Sequence, residues 1–99
     1  MKNHKIIFIT GAFGLIGFTI SKMFLKNGSK VVLADIDIDK IESIKLQLDQ
    51  DGFDENNFLI INLDITNKVS VENALHLSLK KFDRIDVLIN NAAIDAKFD

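Results

Sequence analysis

A chain of 99 residues with 26% charged and 47% hydrophobic side chains describes one small folded domain, not a disordered tail. Its net charge of −2 lacks the basic surplus of a nucleic-acid binder. No cysteine is present, which excludes a disulfide framework and thiolate metal ligands and fits a reducing compartment, so a cytoplasmic protein is expected.

Met1 to Lys5 carries two lysines and Ile6 to Ile20 is almost wholly apolar, an outline shared with secretory signals. Gly11, Gly14 and Gly17 interrupt the stretch, however. Ser21-Lys22-Met23-Phe24 follows in place of a small-residue cleavage site. The stretch is also shorter than the roughly 20 residues of a bilayer span. No membrane association is expected. The segment reads instead as a buried strand, a glycine turn and a helix.

Lys5 to Thr10 is β-branched and aromatic without alternation, as in a strand buried on both faces. Leu15 to Lys26 is predicted as a helix with the stripe Ile16, Ile20, Met23 and Phe24. Asn27-Gly28 ends it, with Gly28 suited to a left-handed cap. Lys30 to Asp35 is a second buried strand. Asp37 or Asp39 then caps a second helix, Glu42 standing three residues after Asp39, with the stripe Ile41, Ile44 and Leu48. Asp51-Gly52 stops this helix, and Asp54 to Asn57 is a polar loop.

Phe58 to Leu63 is a third strand, and Asp64 to Asn67 a turn with capping chemistry. Ser70 to Phe82 carries Val71, Leu75, Leu79 and Phe82 on one helical stripe. Ile85 to Asn90 is a fourth strand, and the pattern runs out after Ala93. Strands alternating with helices over short connections predict an α/β fold with a doubly wound parallel sheet. Right-handed crossovers give the strand order 3-2-1-4.

The turn Thr10-Gly11-Ala12-Phe13-Gly14-Leu15-Ile16-Gly17 joins the first strand to the first helix. In that context Gly11 suits a tight turn and Gly14 a close approach of backbone to pyrophosphate. Gly17 suits close packing of helix on sheet. The helix N-terminus offers free N–H groups and a positive dipole end to phosphates. Asp35 ends the second strand, 18 residues after Gly17, where an acid can accept the ribose hydroxyls of NAD. Asp64 follows the third strand and Asn90 ends the fourth. In a parallel sheet Gly11, Asp35, Asp64 and Asn90 therefore share one edge, at the switch between the first and fourth strands.

Other residues carry less. His4 and His76 have no carboxylate or second histidine at ligand spacing, so no metal site is expected. The run Asp35-Ile-Asp-Ile-Asp39 lacks the glycine and glutamate of a calcium loop. The eight phenylalanines lie along core-facing segments and form no base-stacking platform.

Four motifs together resemble the short-chain dehydrogenase/reductase family. They are T-G-A-F-G-L-I-G at Thr10 to Gly17, the acid Asp35, L-D-I-T at Leu63 to Thr66, and R-I-D-V-L-I-N-N-A-A at Arg84 to Ala93. The resemblance implies a Rossmann-type fold in which residues 1–99 form the N-terminal, dinucleotide-binding part of a single domain. It implies that Gly11, Phe13, Gly14, Leu15 and Ile16 hold the pyrophosphate and that Asp64 and Ile65 lie beside the adenine. Asn90, Asn91 and Ala92 would line the adenosine ribose and the nicotinamide side. The implied cofactor is NAD, and the implied substrate of a complete enzyme is a carbonyl/alcohol pair. Homo-oligomers of a complete enzyme are compatible with the family.

Two departures matter. The glycine spacing TGxxGxxG is usual in the extended branch, which keeps open an epimerase or dehydratase acting on a nucleotide sugar. The fourth-strand motif N-N-A-A, which covers a longer run, favours the common branch, although Ala93 stands where that branch has glycine. More consequentially, the family's catalytic Tyr-x-x-x-Lys pair lies beyond the fourth strand, and this chain has no tyrosine. Ser70, Ser78 and Lys80 belong to the third helix and cannot substitute. No catalytic residue is therefore assigned. The chain is expected to be an N-terminal fragment that binds cofactor without turnover, or alternatively a non-catalytic dinucleotide-binding module.

Overall fold

A computed structural model describes residues 4–92. Four strands, β1 (Ile6–Thr10), β2 (Lys30–Asp35), β3 (Phe58–Asn62) and β4 (Val87–Asn90), alternate with three α-helices. The helices are α1 (Leu15–Lys26), α2 (Ile41–Gln50) and α3 (Lys68–Phe82). The strands form one parallel sheet in the order β3-β2-β1-β4, the doubly wound arrangement expected from the alternation. The place expected to lose its pattern, after Ala93, lies outside the described residues.

The strand residues divide cleanly between two cores. Ile7 and Ile9 of β1 and Val31 and Leu33 of β2 face α1 and α2, where Phe18, Leu25, Ile44 and Leu48 cover them. Ile6, Phe8, Val32 and Ala34 face the opposite way, onto Ala74 and Phe82 of α3. Burial on both faces is why these strands show no alternation in sequence.

Two helices turn a different face inward from the predicted stripe. In α1 the buried residues are Gly17, Phe18, Ser21 and Leu25, whereas Ile16 and Met23 are 66% and 59% exposed. Ile20 and Phe24 pack at the margin of the core. In α3 the inward residues are Ala74, Ser78 and Phe82; Val71 packs at the margin, and Leu75 and Leu79 are exposed. At both contacts small residues stand between the bulky ones: Ser21 between Phe18 and Leu25 in α1, and Ala74 and Ser78 ahead of Phe82 in α3. Ser21 and Ser78 satisfy their buried hydroxyls on the carbonyls of Gly17 and Ala74, one turn back.

The helix ends also differ in detail. Gly28 takes the expected left-handed conformation, φ 89°, after α1. Neither Asp37 nor Asp39 caps α2 through its side chain. A short 3₁₀ turn, Ile38–Lys40, intervenes, and the Asp37 N–H is taken by Asp35. A second 3₁₀ turn, Glu55–Asn57, occupies the expected polar loop and is capped by Asp54. Asn67 caps α3 by accepting from the Ser70 N–H. At the far end of the sheet, Asp86 accepts the Ile6 N–H at 2.8 Å and pairs with Arg84, whose guanidinium also reaches the His4 carbonyl. This clamp ties the start of β1 to the segment leading into β4. Among the described residues, no helix is long and apolar enough to cross a membrane.

Candidate functional site

The parallel strands bring their carboxyl ends to one edge, where a cleft of about 730 Å³ opens. Its walls come from the glycine turn, the ends of β1 and β2, the turn after β3 and the residues after β4. Of the residues expected at the site, Gly11, Gly14, Leu15, Ile16, Asp35, Asp64, Ile65, Asn91 and Ala92 line it. Thr10, Gly17, Ala34, Ile36, Leu63 and Thr66 line it as well. Thr10, Gly17, Leu63 and Thr66 belong to the quoted motifs and Ala34 and Ile36 flank Asp35 in sequence, but only the shape of the cleft shows that they line it.

Two expected residues stand elsewhere. Phe13 is buried with the core around α1 and α2, so only its backbone can serve the turn. Asn90 does not line the cleft; its side-chain oxygen accepts the Thr10 hydroxyl at 3.1 Å. The Thr10 oxygen in turn accepts the Ala92 N–H at 2.9 Å. Asn91 donates to the Gly11 carbonyl at 3.1 Å. The segment after β4 is thereby fastened over the glycine turn.

The glycines have distinct duties. Gly11 adopts φ 63°, and a Cβ there would stand 2.9 Å from the Ala92 Cα. Gly17 packs closely against the turn itself, on the Gly11 carbonyl, the Ala12 Cα and the Asn91 amide. A Cβ on Gly14 would meet only the Gly11 carbonyl oxygen, at an ordinary 3.7 Å. Gly14 therefore keeps open space on the cleft side.

Gly14 is also the N-cap of α1, and it supplies no side-chain cap. The first turn of α1 holds no acidic residue. The first amides of a helix have no intrahelical partners. The positive end of α1 thus faces the cleft without a side-chain cap, in contrast with the Asn67-capped α3. An anionic diphosphate fits this cradle.

Asp35 accepts two backbone N–H groups, Phe13 on Oδ2 at 2.9 Å and Asp37 on Oδ1 at 3.1 Å. Each carboxylate oxygen retains a further lone pair, sufficient for a diol. Asp64 is held by Thr66, whose hydroxyl and N–H both donate to Oδ1, at 2.7 and 3.0 Å. Those bonds hold its carboxyl below the usual carboxylate range. Among the described residues no cluster of His, Cys, Asp and Glu could hold a metal ion.

A parallel sheet with its switch point at β1 and β4, a glycine turn opening a helix, and an acid ending β2 define a Rossmann-type dinucleotide-binding module. The chain belongs to the short-chain dehydrogenase family, whose model matches residues 5–99. It is 32% identical over 90 residues to an oxidoreductase of Bacillus subtilis and 35% identical over 92 residues to post-translational flagellin modification protein A of Campylobacter coli. These matches cover 91% and 93% of this chain but 34% and 35% of the two relatives. The chain therefore spans about a third of the length of the curated relatives it matches.

Solved structures agree. The apo glucose dehydrogenase of Caenorhabditis elegans superposes with a TM-score of 0.83 at 29% identity, over 91% of this chain and 38% of that one. The 3-ketoacyl-(acyl-carrier-protein) reductase of Brucella melitensis, complexed with NADH, gives 0.73 at 32% identity, over 85% and 32%. The N-domain of a bacterial malonyl-CoA reductase with NADP gives 0.83 at 33% identity, over 90% and 16%.

Proposed function

We propose that this chain is the N-terminal, cofactor-binding portion of a short-chain dehydrogenase/reductase and that it prefers NAD to NADP. The observation that carries the reading is the composition of the cleft. It joins the uncapped N-terminus of α1 to the carboxylate of Asp35, and its lining among the described residues contains no lysine or arginine. The α1 amides of Leu15 and Ile16 would receive the diphosphate, and Asp35 the hydroxyls of the adenosine ribose. The free oxygen of Asp64 and the backbone of Ile65 would stand at the adenine. A 2′-phosphate would bring about −1.5 to −2 charges against Asp35 with no cation to neutralise them. The similar structures include one with NADH and one with NADP, so the family alone does not decide the preference.

When bound, the nicotinamide would exchange hydride with a carbonyl/alcohol substrate in the complete enzyme. This chain's residues would bind and orient the cofactor. They would not supply the family's acid/base, because the chain has no tyrosine. The names of the relatives, dehydrogenases and reductases, support that chemistry over the nucleotide-sugar alternative. Calorimetric titration of the chain with NADH and NADPH tests the proposal. NADH should bind at least about tenfold tighter, in keeping with a charge-assisted contact. NADPH binding as tightly as NADH would overturn the preference. With NADH and a panel of carbonyl compounds the chain should show no turnover; activity that survives repurification and disappears in Gly14→Asp would overturn the division of labour.

A further inference from the structure

Asp35 holds partners that a ribose-binding acid does not require. Phe13, whose N–H it accepts, stands 22 residues earlier in the glycine turn. The Phe13 ring is anchored in the core, so the backbone is held from one side by packing and from the other by the carboxylate. The preceding residue, Ala12, donates its N–H to the Ala34 carbonyl at 3.0 Å. Two consecutive amides of the turn are therefore fastened to the last two residues of β2. The next residue, Gly14, opens α1. The direction in which the first α1 amides point follows from how this short segment is held.

We propose that Asp35 is a positioning residue for the anion-binding turn, holding Phe13 so that the α1 amides converge on the cleft before any ligand arrives. The inference rests on the dinucleotide reading above, but it concerns the diphosphate and not the ribose. A ligand without ribose separates the two roles by sign. As a negative charge alone, Asp35 repels inorganic pyrophosphate, and its removal would tighten binding. As a positioning group, its removal frees the turn and weakens binding.

The test combines amide hydrogen exchange on the ligand-free chain with titration of inorganic pyrophosphate. In the unaltered chain the Phe13 amide should exchange more slowly than those of Leu15 and Ile16, which begin a helix without intrahelical partners. Asp35→Ala should release the Phe13 amide while the Val32 amide, in the centre of the sheet, stays protected. The same variant should bind pyrophosphate about tenfold more weakly, the loss expected of one hydrogen bond to a charged group. Equal exchange of Phe13, Leu15 and Ile16 in the unaltered chain would overturn the proposal without any variant. Pyrophosphate binding by Asp35→Ala as tight as that of the unaltered chain would overturn it too. Failure of the unaltered chain to bind NADH would count against the dinucleotide reading alone, because the exchange comparison needs no ligand.

Discussion

Gly17 packs so closely on the carbonyl of Gly11 that no side chain fits between them, and the Asn91 amide closes the space, 2.8 Å from where a Cβ would stand. The contact joins the first turn of α1 to the glycine turn and to the segment after β4. It makes the cleft floor a single packed unit of three chain segments.

Gly17→Ala should therefore lower stability by about 1–3 kcal/mol, the cost of overpacking a contact whose partner is backbone. For a domain of this size that is a fall in melting temperature of at least about 4 °C. Gly14→Ala, whose Cβ would meet only an ordinary contact, should melt within about 1 kcal/mol of the unaltered chain yet bind NADH more weakly. Thermal denaturation followed by circular dichroism separates the two. Equal melting of both variants would contradict this account of the turn.

The Asp86 clamp makes stability depend on pH. The Ile6 N–H, and then Arg84, hold the Asp86 carboxyl below its ordinary value of 3.8. A carboxyl lowered in the folded state contributes stability that is fully present above its unfolded value and lost as pH falls through the folded one. Asp86→Asn should thus melt lower than the unaltered chain at pH 7, and the gap should narrow as pH drops below 3.8. Urea denaturation at neutral and acid pH measures it; a gap independent of pH would show that the charge at Asp86 contributes nothing.

Asp83 ends α3 with φ 74°, the left-handed region that suits glycine. Its N–H bonds to the Leu79 carbonyl, an arrangement glycine would keep. Asp83→Gly should raise stability by roughly 0.5–1 kcal/mol, the relief of left-handed strain exceeding the added freedom of the unfolded chain. A lowered melting temperature would mean that the aspartate side chain supports the cap.

The β4 edge should make this chain self-associate. Leu88, on the same sheet face as Phe8, is 65% exposed, and among the described residues no strand pairs the outer side of β4. Unpaired backbone groups beside apolar side chains favour pairing with another chain. Size-exclusion chromatography should show oligomers, and Leu88→Lys should shift the chain toward monomer without loss of helical signal. A monodisperse unaltered chain would refute this.

Residue type and local spacing sufficed for the strands, their order and most of the cleft. A strand such as Lys30–Asp35 is legible because burial on both faces demands an unbroken apolar run. The glycine turn is legible because its glycines answer to backbone geometry. Asp35 and Asp64 follow from strand ends, which a parallel sheet necessarily gathers at one edge. The faces of α1 and α3 were settled only in three dimensions. Periodicity weighs bulk, so it selected Ile16, Met23, Leu75 and Leu79, whereas the buried faces include the small residues Gly17, Ser21, Ala74 and Ser78. The cap of α2 went the same way: the Asp37 N–H turned to Asp35, and no local pattern records a carboxylate shared between that turn and Phe13. Phe13 and Asn90 lie within the expected motifs, yet one packs in the core beside Ala12 and the other is a tie to Thr10, a placement that tertiary contacts decide. Sequence determines which segments meet at the edge of this sheet; packing decides which atoms face the cleft.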